Sequence, residues 1–288
     1  MEIPLQHAHL LHSVGDYEGA RQESENATRA ARQNNWPHLL ARALLEQADT
    51  TRARGNPSSA LELYQEARQM YGQLADPLGN AQCLMGLGEL ATQLGELGQA
   101  LRLLQQAADV FSAQHQKKKH ADCLRELADT ARKAGNLPEA EAYATAALSL
   151  YRSPTHQSGI AAITNIQAAI ARQSGRLYPA ESLALRSLRM FEALDSRHVV
   201  FPLLNLSLLY AQMSRFAESQ KTIEKAFSHL PSRHVLLATA HALQLPSLAT
   251  RHDLIGWDHH FSRTVSLLEQ TDLIDPDVAE ALVIAARN

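Results

Sequence analysis

Residues 84–111 read LMGLGELATQLGELGQALRLLQQAADVF, and the six-residue word at 95–100, GELGQA, opens the reading of the whole chain. The word returns as GDYEGA at 15–20, GNPSSA at 55–60, GNLPEA at 135–140 and GRLYPA at 175–180. A weaker copy, SRFAES, stands at 214–219. A fixed period of about forty residues marks a chain of stacked supersecondary units, none of which can bury its apolar face alone.

The repeat extends beyond the word. Taking its first Gly or Ser as a marker, Ala8, Ala48, Gly88, Ala128, Ala168 and Ser207 stand seven residues before it. Ala20, Ala60, Ala100, Ala140, Ala180 and Ser219 stand five after it, and Ala27, Ala67, Ala107, Ala147, Ser187 and Ala226 twelve after it. Tyr71, Phe111, Tyr151 and Phe191 follow at sixteen. Small residues let helix backbones approach, and the larger apolar residue plugs the gap between units. The marker glycine ends one helix in a left-handed cap. Asn56-Pro57, Pro138 and Pro179 start the next helix at once. Asn35-Trp36-Pro37, Asp76-Pro77 and Ser153-Pro154 mark starts at the other junction. Each unit therefore reads as helix, short turn, helix, with a longer connection to the next.

This pattern strongly resembles the tetratricopeptide repeat family, with LMGLGELATQLGELGQALRLLQQAADVF at 84–111 and LLNLSLLYAQMSRFAESQKTIEKAF at 203–227 as the clearest units. The usual period is about 34, and the six extra residues add about 9 Å of helix. Units of this length are similar to those of Pins-type polarity scaffolds and bacterial peptide-sensing regulators. The resemblance implies an all-α, right-handed superhelical solenoid of six to seven helix-turn-helix units. Six units span 1–230, with markers Gly15, Gly55, Gly95, Gly135, Gly175 and Ser214. Beyond Pro231 the register fails, and 231–288 reads as a degenerate seventh unit with a C-terminal capping helix from Asp275-Pro276, all in one continuous solenoid. This tail is weakly similar to repeat regions attached to bacterial signalling kinases.

The chain has 288 residues, 45% hydrophobic and only 5% aromatic, its apolar content mostly Ala and Leu. A net charge of -3, from 27 basic and 30 acidic residues, argues against a nucleic-acid binder. No apolar run approaches the roughly 20 residues of a membrane span. MEIPLQHAHLLHSVGDYEG at the start lacks the parts of a secretory signal. Cys83 and Cys123, forty residues apart, fall in equivalent places of neighbouring units. Helices pack about 8–10 Å apart, more than the roughly 7 Å a disulfide spans, so both read as reduced core thiols in a cytoplasmic protein.

The resemblance implies that the first helix of each unit lines a concave groove. The inward residues are then Arg42, Leu45, Glu46, Asp49 and Arg52 in unit two, and Gln82, Met85, Gly86, Glu89 and Thr92 in unit three. Unit four contributes Asp122, Arg125, Glu126, Asp129 and Arg132; unit five, Ala162, Asn165, Ile166, Ala169 and Arg172; unit six, Phe201, Leu204, Asn205, Leu208 and Ala211. The face is charged at one end and drier at the other. Asn205 falls where the family uses an asparagine to hold a ligand backbone, and Asn165 stands one residue out of that register. Such a face suits an extended or helical peptide. The plainer alternative is that Arg42–Glu46, Asp49–Arg52 and Arg125–Asp129 pair along their own helices.

Other chemistry is thinly represented. RHDLIGWDHH at 251–260 places His259 and His260 side by side, and His9 and His12 make one spaced pair without a third ligand, so no metal is expected. HQKKKH at 115–120 reads as a solvated loop. No phosphate-binding GxxxxGK[ST], GxSxG or CxxC occurs. The expectation is a non-enzymatic scaffold without cofactor, binding a protein or peptide segment and neither nucleic acid nor membrane. Two alternatives stand beside it: a regulatory module of a larger signalling protein, and a stand-alone sensor of a peptide or small ligand.

Overall fold

The computed structural model describes residues 2–13, 16–151, 156–230, 236–271 and 275–288. The described residues form α1 (Glu2–Ser13), α2 (Tyr17–Gln33), α3 (Pro37–Ala53), α4 (Pro57–Gln73), α5 (Pro77–Gln93), α6 (Leu97–Ala113), α7 (Lys117–Lys133) and α8 (Leu137–Leu150). There follow α9 (Gln157–Gln173), α10 (Leu177–Ala193), α11 (Val200–Gln212), α12 (Phe216–Phe227), α13 (Leu237–Thr250), α14 (Leu254–Thr271) and α15 (Pro276–Ala286). The fold is an all-α helical-repeat solenoid. Marker Gly15, the Ser153-Pro154 start and the register break at Pro231 lie outside the described residues.

Two seventeen-residue helices and two three-residue turns fill the forty-residue period, as α3 to α6 show. The longer connection expected between units is absent there; the extra residues lengthen the helices instead. Both junctions close the same way. Gly55, Gly95, Gly135 and Gly175 have φ of 75–78° at one, and Asn35, Ala75, His115 and Asp195 have φ of 47–56° at the other. A left-handed residue turns the following N–H back onto the helix end, as in Glu96 N–H to the Ala91 carbonyl and Asp76 N–H to the Tyr71 carbonyl, both 2.9 Å. Asn, Asp and His tolerate this conformation, so glycine was a visible marker at only one of two equivalent turns. The next helix then starts on Pro37, Pro57 or Pro77, with Asn56 and Asp76 accepting from the N–H of Ser59 and Gly79. HQKKKH is likewise not a loop: α7 begins at Lys117, and Lys118 pairs with Asp122 at 2.8 Å one turn on.

The chain divides into two compact units, 1–126 and 127–288. Consecutive helices from α1 to α6 and from α8 to α14 pack against one another, and the odd-numbered helices also touch side by side: α1, α3 and α5 in the first, α9, α11 and α13 in the second. These form the inner layer. The small-residue columns are the close contacts of the stack, with Ala48, Ala60, Ala67, Ala100, Ala107, Ala128, Ala140, Ala147 and Ala168 all fully buried. Glycines extend the same logic. A Cβ on Gly79 would lie 2.1 Å from the Tyr71 ring, one on Gly159 2.6 Å from Tyr151, and one on Gly86 2.4 Å from Tyr64. The plugging rings therefore seat directly on bare backbone.

Cys83 and Cys123 are buried and unbridged, and burial pushes the Cys83 thiol up to about 12 and raises that of Cys123 as well. Since the thiolate is the nucleophile, neither is expected to react stoichiometrically with a thiol reagent within minutes in the native state. Intact-mass analysis after a short pulse checks this; two labels without unfolding would refute it.

Near the end, α13 runs through Pro246, which is buried, as are Leu243, Leu245 and Leu248 on the same helix. Asp275 caps α15 by accepting from the Asp277 N–H at 3.0 Å. This last helix packs chiefly along α13 and also touches α11, so it lies on inner-layer helices.

Candidate functional site

The inner layer of the first unit carries a chain of polar contacts that crosses three helices. Tyr64, from α4, donates to Asp49 of α3 at 2.5 Å, and Arg52 Nε donates to the Tyr64 oxygen at 3.1 Å. Arg52 then reaches across to Glu89 of α5, 2.5 Å away. Arg52 and Glu89 keep 16% and 17% of their side-chain surface, so the pair is recessed but reachable. Burial raises the carboxyls of Asp49 and Glu89, against the lowering pull of the Arg52 guanidinium on both. The interhelical reach of Arg52 is what the sequence spacing missed, since the one pairing it offered for Arg52, as the plainer alternative, was with Asp49 within α3.

Around this ladder stand the other expected residues of the unit. Glu46 meets His9 at 3.4 Å, and that contact holds the imidazole above its ordinary range. Arg42 is exposed, Gln82 and Met85 are half-buried, and Asp122 meets Lys118. Arg125 and Glu126 pair with each other at 2.5 Å. Two residues assigned to the face are covered: Gly86 beneath the Tyr64 ring, and Thr92, which donates to the Gly88 carbonyl at 3.0 Å. Thr92 is therefore a packing residue, and enlarging it will not be neutral.

In the second unit the inner layer is engaged by the chain itself. Asp129 is held by Arg132 at 2.8 Å and Lys133 at 3.3 Å; burial alone would raise its carboxyl, but these two cations hold it well below the usual carboxylate range. Asn205 accepts from Arg172 Nε at 3.1 Å and turns its amide to the Asn165 carbonyl and side-chain oxygen, both 3.4 Å. Arg172 has no exposed side-chain surface and lies between Asp277 at 2.8 Å and Glu280 at 2.5 Å, both on α15. Gln212 also donates to Glu280, and Thr239 donates to Asp275 at 2.5 Å. The amide expected to clamp a ligand backbone thus serves an internal network. Leu204 and Leu208 are covered in the core with Ile223 and Leu243, and of the expected dry anchors only Phe201 is exposed.

The histidines of RHDLIGWDHH gain a partner that the sequence did not suggest. His241 of α13 lies 2.9 Å from His260, nitrogen to nitrogen, beside the Phe227 ring. Burial first, then His260, Arg263 and His259, lower His241 to about 4, and burial and His259 lower His260. Among the described residues no three His, Cys, Asp or Glu side chains gather to hold a metal ion, and no helix is long and apolar enough to cross a membrane. A histidine that resists protonation only when folded favours the folded state above the unfolded pKa of about 6.5. That contribution is lost as pH falls from about 6.5 towards 4. The melting temperature is therefore expected to drop over this window, and less steeply in His241→Gln; identical slopes would refute the assignment.

Residues 80–153 match the tetratricopeptide repeat family. Solved structures similar to the chain share its fold at low identity. One is NprR in complex with its cognate peptide NprX (13% identity, 98% of this chain and 82% of that one, TM-score 0.67). Another is a Rap protein complexed with competence and sporulation factor (13%, 97% and 98%, 0.61). A third is a tetratricopeptide repeat protein from Parabacteroides merdae (17%, 99% and 98%, 0.56). No curated protein matches.

Proposed function

We propose that this chain, a tetratricopeptide-repeat protein, is a non-enzymatic scaffold that receives a peptide or protein segment on the inner layer of its first unit. The observation that carries this reading is the recessed ladder Asp49–Tyr64–Arg52–Glu89, flanked by Arg42, Gln82, Asp122, Arg125 and Glu126. Charges of both signs lie at half-buried positions on α3, α5 and the middle of α7, where a ligand's charges would meet partners already desolvated in part. A segment with alternating charge fits such a face better than a uniformly acidic or basic one. The likeness to NprR with its peptide and to Rap with its factor favours a peptide sensor as the particular form of the scaffold.

The test starts from partners captured by the wild-type chain and identified by mass spectrometry. Arg125→Ala should weaken capture at low salt and matter less at 1 M, where the Debye length is about 3 Å. Gln99→Ala, an exposed change on α6, should leave capture intact. Equal capture by Arg125→Ala and wild type at every salt concentration, with loss in Gln99→Ala, would move the partner to another face.

A further inference from the structure

The second unit presents a different recognition surface. On its inner layer Arg172 pairs with Asp277 and Glu280 of α15, while Arg132 and Lys133, both bound to Asp129, also feel the charge of Asp275 at the helix start. Apolar Val278, Ala281 and Ala285 complete the seated face. Three features distinguish this arrangement from a simple end-cap. α15 packs along α13 and touches α11, both of the inner layer. It is only eleven residues long, below the roughly 12–15 at which an isolated helix holds itself, so its order depends on the seat. And the seat offers more than α15 uses. Arg132 is 5% exposed, is drawn to Asp129, Asp277 and Asp275, and its Nη1 has no hydrogen-bond partner. The Oε1 atoms of Gln173 and Gln212 are also buried without partners, and both residues line a cleft of about 750 Å³ that runs beside Glu280, Val283 and Ile284.

We propose that the inner layer of the second unit is a binding site for an acidic helical segment of a partner protein, and that α15 is the resident occupant the partner displaces. The partner helix carries carboxylates in its first two turns, spaced like Asp275, Asp277 and Glu280, followed by an apolar stripe. A fourth carboxylate, which α15 lacks, meets Arg132 Nη1, and donors of the partner's side chains or free first turn meet the two glutamine oxygens. A buried guanidinium with an unmet donor is costly to leave so, and a fuller ligand satisfies it. This site is separate from the one proposed on the first unit and does not depend on it.

The probe is a synthetic peptide of sequence DPDVAEALVIAARN, residues 275–288, unlabelled, added to the intact ¹⁵N-labelled chain. Amide exchange of α15 in the chain should accelerate as the peptide is raised to millimolar concentration, while α11 and α13 keep their protection. A fluorescent form of the peptide should bind the Asp277→Asn/Glu280→Gln chain about tenfold tighter than wild type, because weakening the resident raises the fraction of open seats. Adding Arg172→Gln to that chain should abolish binding. Unchanged α15 exchange at saturating peptide, or α11, α13 and α15 opening together, would overturn the proposal. So would a concentration-dependent dimer of the Asp277→Asn/Glu280→Gln chain exchanging α15 between copies, since the occupant would then be a second copy.

Discussion

Arg172→Ala is expected to cost about 3 kcal/mol of stability, the lower end of what breaking a buried ion pair costs. The guanidinium is fully enclosed and answers two carboxylates, Asp277 at 2.8 Å and Glu280 at 2.5 Å, while its Nε serves Asn205. Truncation strands both carboxylates and the Asn205 oxygen together. The lower end applies because Asp277 and Glu280 keep 25% and 29% of their side-chain surface, through which water recovers part of the loss. Burial alone would raise the Asp277 carboxyl, yet Arg172, Arg132 and Lys133 outweigh it and hold it down. Removing all the charges at once is less harmful than removing one. Arg172→Met combined with Asp277→Asn and Glu280→Gln should therefore be more stable than Arg172→Met alone. Urea unfolding of the four chains measures this; Arg172→Ala unfolding at the wild-type midpoint would show that the network contributes nothing.

In the first unit the largest effect is expected from one methyl group. Gly86→Ala should destabilise by about 1–3 kcal/mol through overpacking. Its Cβ would meet Tyr64 ring atoms at 2.4 and 2.6 Å and the hydroxyl at 2.8 Å. That ring has no exposed surface into which to move, and displacing it breaks the bond to Asp49 and the contact with Arg52. The matched control is Gly98→Ala on α6, an exposed helical glycine whose Cβ would meet nothing nearer than Arg102 Nη1 at 3.9 Å. There alanine removes unfolded-state freedom and should stabilise by about 0.4–1 kcal/mol. Opposite signs in the two urea midpoints are the expected outcome; a neutral Gly86→Ala would mean that α4 and α5 can part at no cost.

The sequence alone determined what is decided within a few residues or within one period. Gly55, Gly95, Gly135 and Gly175 announced left-handed helix ends, Asn56 and Asp76 announced helix starts, and the alanine columns announced close helix contacts. Each acts through local backbone sterics or nearest-neighbour packing, and repetition made each visible several times. The second turn stayed hidden because Asn35, Ala75, His115 and Asp195 reach the same left-handed conformation without a common letter. The partners of Arg52, Arg132 and Arg172 were not legible: Arg52 answers Glu89 and Arg172 answers Asp277, both on other helices.

Only tertiary structure decided that Arg52 answers Glu89 on the next inner helix, that Asn205 serves Arg172, and that Arg172 answers carboxylates 105 and 108 residues away. In sequence, Asp275 and Asp277 are what any helix places at its start, where carboxylates suit the cap and the dipole. Nothing in their spacing distinguishes that local role from a distant counter-ion. An ion pair depends on distance in space, and helical periodicity records distance only along one helix. Where α15 lies is set by which surface buries its apolar stripe and neutralises its acids together, a condition that exists only once α9, α11 and α13 are assembled.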